Sequence, residues 1–82
     1  MNDLGKFEKW LKGNMEIEQP TNTMLVRHMA EENGITENDV HRFLGILEYR
    51  GVVEYYITLQ KYGSEFVDVC EFYILDEITD YI

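Results

Sequence analysis

Segments of helical and strand period succeed one another along this chain, and their order predicts a small mixed domain. Leu4, Phe7, Trp10 and Leu11 recur at helical spacing and predict a first amphipathic helix, capped by Asn2 or Asp3. Glu8 and Lys12 stand in the favourable i,i+4 order, Lys6, Lys9 and Lys12 share the polar side, and Gly13-Asn14 ends the helix. The alternation Met15-Glu16-Ile17-Glu18 predicts a brief strand, stopped by Pro20. A second helix is expected from about Asn22 to Asn33, capped by Thr21 or Thr23, with Leu25 and Met29 buried, joined by Val26 and Ala30. Gly34 ends it.

Thr36 opens a third helix, and Asp39 three residues on completes a near capping box. Val40, Phe43, Leu44 and Leu47 follow the i, i+3, i+4, i+7 pattern of a buried helix face, and Gly51 closes the helix. Residues 52–59 and 66–75 are rich in β-branched and aromatic side chains, with turn residues at 60–64 between them, so the pair predicts a hairpin. Leu75, Ile78 and Ile82 share one helical face, which makes residues 75–82 either a short final helix or an acidic, apolar tail. The resulting order is α-β-α-α-β-β. Helices packed over a small antiparallel sheet are the natural way to bury such a set, and the class is α+β.

A chain of 82 residues has room for one such core and little else. Its net charge of −9, from sixteen acidic and seven basic residues, opposes nonspecific attraction to nucleic acid or to anionic membrane. The charge is unevenly spread. Residues 1–61 hold ten acids and all seven bases, whereas residues 62–82 hold Glu65, Asp68, Glu71, Asp76, Glu77 and Asp80 and no Lys or Arg. A single cysteine, Cys70, forbids an internal disulfide and is expected to be a small buried hydrophobe on a strand. With no bilayer-length apolar run and no basic, apolar leader at the start, the expected setting is cytoplasmic, a host cytoplasm if the source is viral.

Within residues 26–43, Ala30, Gly34, Val40 and Phe43 resemble the helix-turn-helix pattern: a small residue at the helix crossing, a glycine for the tight turn, then two apolar anchors. The following Leu44-Gly45-Ile46-Leu47-Glu48-Tyr49-Arg50-Gly51-Val52-Val53 is similar to a recognition helix turning into the first strand of a wing. Residues 1–74 thus resemble the winged helix-turn-helix regulators of bacteria, archaea and phages, with residues 75–82 as an appended segment. The resemblance implies a third helix entering the major groove of double-stranded DNA, with Thr36, Glu37, Asn38, His41, Arg42 and Gly45 facing outward. Asn38, His41 and Arg42 would then face bases, and Thr36, Arg27, Arg50 and the wing-tip Lys61 would meet phosphates or the adjacent groove. Leu75, Ile78, Tyr81 and Ile82 are the expected contact of a homodimer.

A second function class follows from the charge. Glu65, Asp68, Glu71, Asp76, Glu77 and Asp80 would let a winged-helix domain dock on the basic surface of a nucleic-acid-handling protein, or mimic DNA there, as a phage or viral inhibitor would. Tyr49, Tyr55, Tyr56 and Tyr62 suit base stacking, and equally suit half-buried packing on a small sheet. His28 and His41 lack partners at ligand spacing, so no metal site and no cofactor is expected. No phosphate loop, nucleophile elbow or HExxH motif is present, and adjacent acids such as Glu31-Glu32 diverge on a helix, so the chain is expected not to be an enzyme.

Overall fold

In the computed structural model, which describes residues 3–14 and 22–75, helix α1 spans Asp3–Gly13, strand β1 Asn22–Leu25 and helix α2 Val26–Asn33. Helix α3 spans Glu37–Tyr49, strand β2 Val53–Tyr62 and strand β3 Glu65–Ile74. The α+β class and the order α-β-α-α-β-β agree with the hydrophobic pattern. The sheet is antiparallel, with β3 between β1 and β2, and the three helices pack on one of its faces. The topology is winged-helix-like.

The residues leading into α2 depart from their expected conformation. Asn22–Leu25, expected to begin the second helix, form β1 instead, with Asn22 opposite Phe72 and Leu25 opposite Val69. Pairing with β3 supplies these four residues with ladder partners, and tertiary pairing overrides a helical period this short. Leu25 is therefore the extended N-cap of α2, without a side-chain cap, and Thr23 does not cap the helix. Val26, Met29 and Ala30 are buried while Leu25 is half-buried. The expected strand at Met15–Glu18, Asn2, Pro20, Thr21 and residues 76–82 lie outside the described residues.

The turn between α2 and α3 is built as the sequence demands. Gly34 has φ 64°, a left-handed conformation that costs glycine no side-chain clash. There its N–H donates to the Glu31 carbonyl at 3.3 Å and the Ile35 N–H to the Ala30 carbonyl at 3.1 Å, which satisfies the last carbonyls of α2. Thr36 then caps α3: its hydroxyl accepts from the Asp39 N–H at 3.1 Å, and the Asp39 carboxylate accepts from the Thr36 N–H. At the far end Gly51, φ 79°, follows the Arg50 cap, with the Val52 N–H donating to the Leu47 carbonyl at 2.9 Å.

Val40, Phe43, Leu44 and Leu47 turn inward against Phe7, Leu11, Met29, Val53, Cys70 and Phe72. Phe7 meets Phe43 at 5.7 Å between ring centroids, which ties α1 to α3. Complete burial of side chains such as Leu44 and Phe72 stabilises the domain by about 1.5–3 kcal/mol each. Cys70 is fully buried in this core, and burial, assisted by Glu71, pushes its thiol up to about 12.

The hairpin is longer and tighter than its turn residues predict. Gln60, Lys61 and Tyr62 continue β2, and only Gly63 and Ser64 connect the strands. Gly63 alone takes positive φ, 64°, the sign pattern of a type II′ turn, whose twist matches that of the flanking strands. Residues 53, 55 and 57 of β2, with 70, 72 and 74 of β3, face the helices. Toward the tip the helices no longer cover the sheet, so Leu59 and Phe66, on that same face, are each 65% exposed.

Candidate interaction face on the third helix and the wing

The face expected to meet a partner is assembled from the starts of α2 and α3 and the distal half of the β2–β3 wing. On α3 the buried stripe leaves Asn38, Arg42 and Tyr49 on the opposite side, all exposed. His41 and Gly45, expected to face outward with them, turn toward the wing and are half-buried. A Cβ on Gly45 would stand 3.9 Å from the Tyr55 hydroxyl, which shows how closely β2 passes the helix. Burial pushes the Tyr55 hydroxyl above its usual range, with Glu48 and then Cys70 adding to the shift.

Three basic side chains of this face have carboxylate neighbours. The Arg27 guanidinium is 3.8 Å from the Glu65 carboxylate, and His41 Nε2 is 3.6 Å from Asp68. Arg42 donates to Asp39 at 2.6 Å and also lies 5.2 Å from the centre of the Phe43 ring. Foremost the Thr36 backbone N–H, then the Arg42 guanidinium and the Thr36 hydroxyl, hold the Asp39 carboxyl below the usual carboxylate range. Lys61 rests its ammonium 5.9 Å from the Phe66 ring centre. Thr36 is spent on the cap of α3, and Arg50 is exposed at the opposite end of that helix.

Between the wing and the two helix starts lies a cleft of about 300 Å³, lined by Arg27, Glu37, Leu59, Glu65, Phe66, Val67 and Asp68. Three carboxylates and two exposed apolar side chains meet there. Glu65 and Asp68 were expected at such a surface from their charge, whereas Leu59 and Phe66 were not. The signal was present, since strand period continues past the last residue that the helices bury. Glu71 stands on the other face of the sheet, opposite Tyr56 and Thr23. Of the tyrosines, Tyr55 is half-buried as packing requires, whereas Tyr49, Tyr56 and Tyr62 are 93%, 66% and 54% exposed. Leu75 is half-buried and its N–H donates to the Val52 carbonyl at 2.7 Å; Asp76, Glu77, Ile78, Asp80, Tyr81 and Ile82 lie outside the described residues.

Among the described residues no group of three His, Cys, Asp or Glu side chains is placed to hold a metal ion, and no helix is long and apolar enough to cross a membrane. Compared with known proteins, the chain matches no family model, no curated protein and no solved structure.

Proposed function

We propose that this chain is a non-catalytic winged-helix module that docks on a basic surface of another protein, one that handles nucleic acid. The observation that carries the reading is the pairing of Arg27, His41 and Arg42 with Glu65, Asp68 and Asp39 across the face that a DNA duplex would otherwise occupy. Phosphate binding draws its strength from unneutralised Lys and Arg, whose contacts release counterions. Here three cations, Arg27, Arg42 and Lys61, share a face with four carboxylates, Glu37, Asp39, Glu65 and Asp68. A basic protein surface suits that balance. Its Lys and Arg heads would pair with Glu37, Glu65 and Asp68, while their apolar stems lie on Leu59 and Phe66. Exposed tyrosine and phenylalanine are the side chains that anchor protein interfaces.

A second reading is a dimeric transcriptional regulator of the winged helix-turn-helix superfamily that binds double-stranded DNA. It is favoured by Asn38 and Arg42, exposed one turn apart on the outer side of α3, where a groove-reading helix carries its base contacts. Two titrations separate the readings: a labelled mixed-sequence duplex, and a labelled peptide of alternating arginine and leucine. Docking on protein requires peptide binding that weakens as salt rises and weakens further in Glu65→Gln/Asp68→Asn, with no duplex binding at about 50 mM salt. Duplex binding at that salt, lost in Arg42→Ala, would establish the regulator instead.

A further inference from the structure

The free edge of β2 carries an inference that does not depend on the partner proposed above. Among the described residues, strand β2 lies at the margin of the sheet and pairs on one side, with β3. It is ten residues long, its register against β3 runs without a bulge, and the chain's one proline lies elsewhere, at Pro20. Natural edge strands are usually kept apart by brevity, proline, bulges or inward charges. The first three are absent from β2 and the fourth is confined to Lys61 at its tip, while its distal residues Thr58–Tyr62 are all exposed. Its only charges are Glu54 near one end and Lys61 near the other.

We propose that two copies of this chain pair antiparallel along β2, with Thr58 on the two-fold axis, to give a continuous six-stranded sheet. The Gly63-Ser64 turn makes Tyr62 and Glu65 a hydrogen-bonded pair, and in an antiparallel ladder the bonded pairs alternate. The backbone groups of Tyr55, Ile57, Leu59 and Lys61 therefore point to the free edge. With Thr58 opposite Thr58, Ile57 meets Leu59 and Tyr55 meets Lys61, so four pairs exchange about eight backbone hydrogen bonds. On the other face Tyr56 meets Gln60 and Glu54 meets Tyr62. No like charges stand opposite one another, Lys61 gains an aromatic neighbour, and a threonine pair of this kind is favourable. Shifting the axis to Ile57 would set Lys61 beside buried Val53 instead. The edge is about 33 Å long and about 10 Å thick, which is small beside the roughly 800 Å² per partner of a stable interface. The dimer is thus weak and concentration-dependent. Because each copy carries −9, screening their repulsion strengthens it as salt rises.

Sedimentation equilibrium on the full chain tests this directly. The expected result is a mass climbing from 9.8 kDa toward twice that value with concentration, and climbing further in high salt. Leu59→Pro, which removes an edge-facing N–H at an exposed position, leaves a folded monomer by circular dichroism, while Leu59→Ser still dimerises. Under mild oxidation Thr58→Cys forms a disulfide-linked dimer at a yield several-fold above Gln60→Cys, because the native Cys70 is buried and does not compete. A mass that stays monomeric at the highest soluble concentration in high salt overturns the proposal. So does equal cross-linking at positions 58 and 60, or a dimer that survives Leu59→Pro.

Discussion

Replacing Gly34 and Gly45 separately by alanine adds the same methyl group with opposite effects on stability. At Gly34 an added Cβ meets nothing within 4 Å, so the effect is confined to the backbone, which sits at φ 64°. Holding an L-residue in that left-handed well costs about 1–2 kcal/mol, and the stiffer unfolded chain returns about 0.4–1 kcal/mol. The net is a loss of about 1 kcal/mol. Gly45 lies inside α3 at ordinary contact distance, 3.9 Å, from the Tyr55 hydroxyl. There alanine removes the flexibility of a mid-helix glycine and gains about 0.5–1 kcal/mol. For a domain of this size a difference near 2 kcal/mol separates the melting temperatures by roughly 10 °C. Far-UV circular dichroism on both variants, with urea titrations to show an unchanged m-value, measures it. Gly34→Asn should fall between wild type and Gly34→Ala, since asparagine tolerates the left-handed region. A Gly34→Ala protein that melts at or above wild type, or a Gly45→Ala protein that melts below it, would refute this account of the helix joint and of the wing's approach to α3.

Leu44→Ala, at a position with no solvent exposure, should cost about 2–5 kcal/mol in urea unfolding, and a loss under about 1 kcal/mol would place Leu44 outside the core. The Cys70 thiol, fully buried and pushed up to about 12, should react with a disulfide reagent at pH 8 only after denaturation; rapid native reaction would contradict its burial. The depressed Asp39 carboxyl sets the sign of a pH effect. Its folded pKa lies below the unfolded one, so its contribution is present above the ordinary aspartate range and is lost as pH falls through the folded value. Wild type should therefore exceed Asp39→Ala in stability at neutral pH, with the gap closing below about pH 3.9; a gap that widens in acid would reverse the assignment.

Where one segment carried its own instructions, the sequence was sufficient. The Thr36–Asp39 cap, the left-handed Gly34 and the stripe of Val40, Phe43, Leu44 and Leu47 all rest on interactions within a few residues of the chain, and each was legible. Strand β1 was not, because Asn22–Leu25 become a strand only through β3, more than forty residues later. The tight wing was misread for a related reason: Gln60, Lys61 and Tyr62 look like turn residues by composition, while the choice between a long loop and a two-residue turn rests on Gly63. Which residues share the candidate face was legible only in part, and their electrostatics was not. Arg27 and Glu65, like His41 and Asp68, are far apart in sequence. Their proximity comes from the packing of the wing over the helix starts, which no periodicity encodes.

The sign of the salt response then separates the two associations this surface is proposed to make. Docking on a basic partner joins opposite charges, so screening weakens it; pairing along β2 joins two copies that each carry −9, so screening strengthens it. Between physiological ionic strength and 1 M the screening length falls from about 8 Å to about 3 Å, which is enough to attenuate contacts across the cleft while sparing backbone bonds along an edge. One salt series at fixed concentration, following peptide anisotropy and sedimentation mass together, should give slopes of opposite sign. A dimer that instead dissolves with salt would have to be held by exchanged charge pairs, Arg27 of one copy against Glu65 or Asp68 of the other. In that case the wing face would be self-complementary, and both the β2 pairing and the need for a basic partner would fail on the same measurement.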